Sequence, residues 1–170
     1  LASLVSEGIG FIIGVPLHTG QARALLRRHR RALSSFKRCF LIGGSVVSHV
    51  PCAISVGADG EADVLPAHLY FCQERHAQMA VRLQKNVLEI IAAADKAGLE
   101  SWQEAREWLE ANAGRQPRLF RLRMEDGCPS ISVKPNRVAA AAANFGFTLV
   151  ATSNKEEAPS AREEVLEEYR

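Results

Sequence analysis

The sequence lacks several features that mark particular classes of protein. Its four cysteines, Cys39, Cys52, Cys72 and Cys128, form no C-x-x-C pair, and 170 residues are enough for one domain that folds without disulfides. No apolar run approaches the about 20 residues that a membrane-spanning helix needs. The opening residues LASLVSEG lack the basic start and long apolar stretch of a signal peptide. We therefore expect a cytoplasmic protein with reduced thiols and no membrane partner.

Motifs of common enzyme classes are also missing or incomplete. The run GIGFIIG (8–14) has Ile13 where a dinucleotide-binding loop has its third glycine, and its glycines fall within a predicted strand. No G-x-S-x-G elbow is present. Cys72 and His76 could share a helix face, with His68 nearby, but a zinc site needs three or four ligands. The sequence favours packing or solvated roles for these residues, and a metal-dependent α/β enzyme is the weakest alternative.

Acidic residues are absent from residues 20–38, although the net charge of the whole chain is only +2. The run RRHRR (27–31) in this segment wraps most of a helix, so its side chains cannot all be buried on one face. Phosphate backbones attract arginine because binding releases counterions. We predict that Arg27, Arg28, Arg30 and Arg31 contact DNA, and the alternative is a solvated helix face.

Two other charged stripes are better explained as surface. Glutamates dominate residues 156–168, and pairs such as Glu163 with Glu167 could hold a metal, but a solvated acidic face is the stronger interpretation. A weaker basic stripe contains Arg118, Arg121 and Arg123, for which surface decoration is again favoured.

Hydrophobic periodicity predicts a mixed α+β fold. Strands are predicted over 8–16, 67–72, 118–125, 130–134 and 147–153, and helices over 19–38, 73–97, 101–114, 135–146 and 161–170. A small antiparallel excursion, broken by glycines and Pro51, is predicted over 39–56, followed by a turn-rich connection over 57–66. The apolar face of the helix over 19–38 is predicted at Ala24, Leu25, Ala32 and Leu33. Capping boxes are predicted at Ser101 with Glu104 and at Ser160 with Glu163.

The order of these segments resembles the later part of DDE transposases of bacterial insertion sequences, whose RNase H-like core carries a β-rich insertion. Three stretches carry the resemblance: LASLVSEGIGFIIGVP (1–16), AHLYFCQERHAQMAVRLQKNVLEI (67–90) and FGFTLVATSNKEEAPSAREEVLEEYR (145–170). The last is the most specific, and Ser153 departs from it by separating a Thr–Asn pair that is commonly adjacent. The residues that match the family's pattern there are Gly146, Thr152, Asn154, Val165, Leu166, Tyr169 and Arg170.

The resemblance implies a protein that cuts and joins DNA with two Mg²⁺ ions held by two aspartates and a glutamate. It places both aspartates before Leu1 and the glutamate soon after Arg170, so we expect an internal, non-catalytic piece. Partial RNase H-like core elements would occupy 1–38 and 135–170 and flank an α+β insertion over 39–134. Tyr169 and Arg170 are implied to contact DNA. The alternative is a transposase remnant that binds DNA or a partner without cutting, and either parent could be a homo-oligomer.

Overall fold

The computed structural model of the chain describes residues 12–35, 39–42, 44–56, 63–114 and 116–153. Four α-helices and seven strands lie in this part of the chain, which confirms the mixed α+β class. The chain divides into two compact units, one formed by Leu1–His76 with Gly146–Arg170 and the other by Ala77–Phe145. The predicted helix over 161–170 and the residues before 12 lie outside the described ranges.

The first unit contains one five-stranded antiparallel sheet and a helix packed on it. Its elements are β1 (Ile12–Val15), α1 (Gly20–Ser34), β2 (Cys39–Ile42), β3 (Ser45–Val56), β4 (Asp63–Cys72) and β7 (Phe147–Thr152). The strand order is β1-β7-β4-β3-β2, so β7, from the far end of the sequence, lies between β1 and β4.

Apolar side chains cover both faces of this sheet. On the face toward α1, Leu69, Phe71 and Leu149 pack with Ala22 and Leu26 of the helix. On the other face, Tyr70, Val47 and Val150 form a second buried cluster. Because alternate residues of a strand point to opposite faces, β4 contributes its odd-numbered residues to the first cluster and Tyr70 to the second.

Pro51 and Pro66 lie inside strands. The sequence pattern had predicted a break at Pro51 and a connection that extends to Pro66. Ser55 turns its backbone N–H and C=O away from β4, because both bond to the side chain of Gln21. Every second residue of β3 has the same backbone orientation as Ser55, and Pro51 is one of these residues. The nitrogen of Pro51 therefore faces away from β4, toward the edge of β3 at which pairing with β2 has already ended. Pro51 consequently costs no ladder hydrogen bond and does not end the strand.

β4 begins earlier than predicted for the same reason. The sequence pattern assigned residues up to Pro66 to a connection, but the strand begins at Asp63, which pairs with Val56. Pro66 pairs with Ala53, whose backbone groups, like those of Ser55, face away from β4. The nitrogen of Pro66 therefore faces the β7 side of β4, where pairing with β7 begins only at Ala67. The missing N–H is again outside the paired region.

The second unit contains most of α2 (Gln73–Lys96), α3 (Trp102–Asn112), a 3₁₀ turn (Pro117–Leu119), the hairpin β5 (Phe120–Glu125) and β6 (Cys128–Val133), and α4 (Pro135–Ala142). The hairpin turn uses Asp126 and Gly127, with φ of 51° and 83°. Two central residues with positive φ make the turn that matches strand twist. Leu83, Val87, Leu109, Phe120 and Ile131 form the core of this unit.

Ser101 begins α3 as predicted. Its hydroxyl accepts a hydrogen bond from the N–H of Glu104 at 3.2 Å. The Glu104 carboxylate accepts from the N–H of Glu100 at 3.1 Å, one residue before the position that the usual capping box uses. Within the described part of the chain, every helix is too short or too polar to cross a membrane.

Candidate nucleic-acid interface

Helix α1 begins at a capped residue and turns an apolar stripe to the sheet. Thr19 precedes the helix, and its hydroxyl accepts a hydrogen bond from the N–H of Ala22 at 3.4 Å. Ala22, Leu26 and Leu33 are buried, whereas Ala24 and Ala32 are exposed. The predicted apolar face at Ala24, Leu25, Ala32 and Leu33 was therefore wrong in phase, since only Leu33 and, in part, Leu25 pack inward.

Two hydrogen-bonded contacts fix α1 on strand β3. The Gln21 side chain bonds both backbone groups of Ser55, at 2.9 and 3.0 Å, near the start of the helix. The Ser48 hydroxyl donates to the carbonyl oxygen of Leu33 at 2.7 Å in the last turn. Helix ends leave backbone groups without partners inside the helix, and the Ser48 hydroxyl is a partner for the carbonyl oxygen of Leu33. The helix is thus held at both ends, and its outer face has a defined direction.

The outer face carries exposed arginines. Arg23, Arg27 and Arg31 follow one another at steps of four residues, about 6 Å of rise each, and Arg28 lies beside them. Among the described residues, the salt bridges are Lys85–Glu89 and Arg106–Glu110, and neither involves these arginines. Their charge therefore faces solvent without a described carboxylate to neutralise it.

Arg30 lies in a different environment from the other arginines of RRHRR. It stands four residues after Leu26 and three before Leu33, so it falls on the stripe that faces the sheet. Its guanidinium carbon lies 5.9 Å from the centre of the Phe147 ring, and the side chain is half-buried. This geometry gives Arg30 a cation–π packing contact with β7.

His29 adds little positive charge to the surface near neutral pH. Burial lowers the pKa of its imidazole, and the positive charge of Arg28 lowers it further. Both effects disfavour the protonated ring. The cationic surface of α1 therefore comes from its exposed arginines.

The second basic stripe, on the other unit, is also exposed. Arg121 and Arg123 lie on one side of β5, and Arg118 lies in the 3₁₀ turn before it. Their side chains are exposed, without a helix face that aligns them. They provide a comparison surface of similar charge. Tyr169 and Arg170, the other predicted DNA contacts, lie outside the described residues, as do Glu163 and Glu167.

Residues considered for a metal site are not brought together. The ring of His68 lies against His49, with His68 Nδ1 and His49 Nε2 2.8 Å apart, and against Tyr70. Cys72 is four residues further along β4, about 13 Å at 3.3 Å per residue. The ring of His76 packs near Phe71, with ring centres 5.6 Å apart. Within the described ranges, no three His, Cys, Asp or Glu side chains are grouped to hold a metal. His68, Cys72 and His76 therefore do not form a zinc site of three ligands among the described residues.

Sequence reasoning found the arginines but missed the residues that hold their helix. Gln21, Ser48 and Ser55 carry no local signature, because their partners lie at least 15 positions away. The place of Arg30 could have been found from its spacing to Leu26 and Leu33. No family model, no curated protein and no solved structure matches the chain.

Proposed function

We propose that this chain is part of a DNA transposase and that α1 binds the DNA backbone. The observation that carries this proposal is the row of exposed arginines on α1, Arg23, Arg27, Arg28 and Arg31, on a helix without a single acidic residue. Arginine side chains neutralise phosphates and release their counterions, which favours binding to any polyanionic backbone. Arg30 is left out of this surface because it packs on Phe147.

The anchoring of α1 adds a second argument. A free, flexible basic segment would lose conformational entropy on binding, whereas a helix fixed at Gln21 and Ser48 presents its arginines already in place. Contacts to phosphates also position a protein on the duplex without reading sequence. The chain would thus hold DNA for an active site rather than select a target.

The transposase part of the proposal rests on the resemblance of residues 1–16, 67–90 and 145–170. In a protein of that family, two aspartates and a glutamate would hold two Mg²⁺ ions, which would supply the positive charge that phosphoryl transfer needs. Their carboxylate ligands would come from other parts of the parent protein. A coding sequence with two aspartates upstream and a glutamate soon after residue 170 is expected. Stop codons on both sides would favour the alternative, a remnant that binds DNA without cutting it.

DNA binding itself is tested by fluorescence anisotropy with a short labelled duplex. Replacing Arg23, Arg27, Arg28 and Arg31 by Gln should weaken binding by about tenfold or more. The control replaces Arg118, Arg121 and Arg123 by Gln and should change affinity by less than about threefold. Equal losses in the two variants would show that overall charge, and not the α1 surface, determines binding.

A further inference from the structure

A groove runs between the C-terminal half of α1 and strand β3. Its volume is about 550 Å³, within the roughly 300–1,000 Å³ of small-molecule sites. Arg28, Arg31 and Ser35 line the helix side, and Ser48 and Val50 line the strand side. The groove is therefore polar and cationic at its helical wall and partly apolar at its strand wall.

The hydroxyl donors in the groove are already used. Ser48 donates to the carbonyl oxygen of Leu33 at 2.7 Å, and Ser35 donates to that of Ala32, also at 2.7 Å. A hydroxyl has only one proton to give, so neither has a second one for a ligand. His49 also lines the groove, but the side chain of Ser48 points to α1, so the next ring along the strand points to the opposite face.

The side-chain donors that remain are the guanidinium groups of Arg28 and Arg31. Both are exposed, and no hydrogen bond or ion pair among the described residues engages either group. Guanidinium groups bind phosphate oxygens with paired, charge-assisted hydrogen bonds. Ala32 and Val50 provide the apolar surface against which a sugar ring can pack.

We propose that the groove between α1 and β3 holds one sugar–phosphate unit of a bound nucleic-acid strand, with the phosphate on Arg28 and Arg31 and the sugar against Ala32 and Val50. This inference rests on the proposed DNA binding by α1 and goes beyond it. Arg23 and Arg27 contact the nucleic-acid backbone from the outer face of α1, whereas Arg28 and Arg31 bind one sugar–phosphate unit of it in the groove. The groove thereby sets the register of the strand along the helix.

A pair of charge-neutral variants tests the groove. Ala32→Leu fills it, whereas Ala24→Leu adds the same group to the exposed surface of the same helix, outside the groove. Both alanines lie four residues from Arg28, so local effects on that arginine are matched. Duplex binding should weaken by about tenfold in Ala32→Leu, because two charge-assisted hydrogen bonds are displaced. It should stay unchanged in Ala24→Leu.

The outcomes separate the groove from the proposed function. Duplex binding that is intact in both variants, or equally weakened in both, overturns the groove and leaves DNA binding by α1 standing. Failure of the unaltered chain to bind duplex at low salt overturns both. If Ala32→Leu does not fold, the amide NMR signal of Val50 in the unaltered chain replaces it and should shift on addition of duplex. A shift with polyglutamate but not with duplex would assign the groove to an acidic protein segment and overturn the proposal.

Discussion

The Ser48 hydroxyl donates a 2.7 Å hydrogen bond to the carbonyl oxygen of Leu33, which joins strand β3 to the last turn of α1. The two residues are 2% and 1% exposed, so this hydrogen bond is buried. Leu33 follows Arg31 by two residues and Arg28 by five, so this bond holds the helix end to which both arginines belong. The direction of the basic surface therefore depends on a buried serine that has no charge itself.

Ser48→Ala should lower the free energy of unfolding by about 1 kcal/mol, because it removes a buried hydrogen bond to the carbonyl oxygen of Leu33, which keeps the backbone N–H of Ser35 as its other donor. Urea denaturation followed by circular dichroism measures the loss. Ser34→Ala is the control, since its exposed hydroxyl bonds the carbonyl oxygen of Arg30 within the same helix. That change should stay within about 0.5 kcal/mol. Equal losses of unfolding free energy in the two variants would show that the hydrogen bond of Ser48 does not stabilise the fold.

Gly146 should tolerate no side chain. Its φ is +75°, and an added Cβ would lie 2.5 Å from the carbonyl oxygen of Cys72 and 2.8 Å from Cβ of His76. Gly146→Ala should destabilise the fold by about 3 kcal/mol or more, since backbone strain and a clash with fixed atoms add.

Gly127 is the matched control for this prediction. It also has a positive φ, +83°, but a Cβ added there would have no atom within 4 Å. Gly127→Ala should cost only the conformational strain, about 1 kcal/mol. Thermal denaturation of the two variants compares them, and similar melting temperatures would contradict the close approach at Gly146.

Arg30 and Arg27 should separate stability from DNA binding. Arg30→Gln removes the contact with Phe147 and should lower the free energy of unfolding by about 0.5–1 kcal/mol, with little effect on affinity for duplex. Arg27→Gln should weaken duplex binding and leave the free energy of unfolding nearly unchanged, because the side chain of Arg27 is exposed. Denaturation and anisotropy on both variants give the four values. A larger loss of affinity in Arg30→Gln than in Arg27→Gln would contradict the packing role.

Cys52 should react slowly with alkylating agents. Burial raises the pKa of its thiol from 9.0 to about 11, although a hydrogen bond with the backbone of Leu69 opposes the shift. Two pKa units reduce the reactive thiolate about 100-fold at neutral pH. Iodoacetamide followed by mass spectrometry should modify the exposed Cys39 and Cys128 well before Cys52. Cys52 modified at the same rate as these two would contradict the buried environment.

The same thiol links stability to alkaline pH. The unfolded chain loses the Cys52 proton near pH 9, whereas the folded chain keeps it until about pH 11. Stability is therefore full below pH 9 and falls as the pH rises toward 11, because the unfolded state ionises first. Burial also raises the pKa of Tyr70, and the neighbouring Cys52 adds to the shift, which strengthens the same trend. Urea midpoints should fall more steeply between about pH 9 and 11 in the unaltered chain than in Cys52→Ala.

Local patterns in the sequence predicted most of the secondary structure. The cap at Ser101 and the periodic apolar residues of α2 involve positions a few residues apart, so they are readable from one segment. Strand order is not local, and nothing in β7 shows that it pairs with both β1 and β4. The prolines at 51 and 66 misled because their cost depends on which strand edge is paired.

The candidate interface was only partly readable. Charge alone identified the arginines, because a basic segment without acidic residues is visible in any sequence. The face of α1 that packs on the sheet was not identified correctly. The sequence pattern placed Ala24 and Ala32 on that face, but the buried residues are Ala22, Leu26 and Leu33. Arg30 was grouped with its neighbours for that reason. The contacts of Gln21 and Ser48 depend on the tertiary fold and had no sequence signal.

The salt dependence of duplex binding tests the α1 surface most directly. The logarithm of the binding constant should fall linearly with the logarithm of salt concentration, with a slope near −0.9 for each phosphate neutralised. Gln at Arg23, Arg27, Arg28 and Arg31 should reduce the slope by roughly one for each arginine that contacts a phosphate. A slope that is unchanged in this variant, or binding that does not depend on salt, would contradict DNA binding by α1.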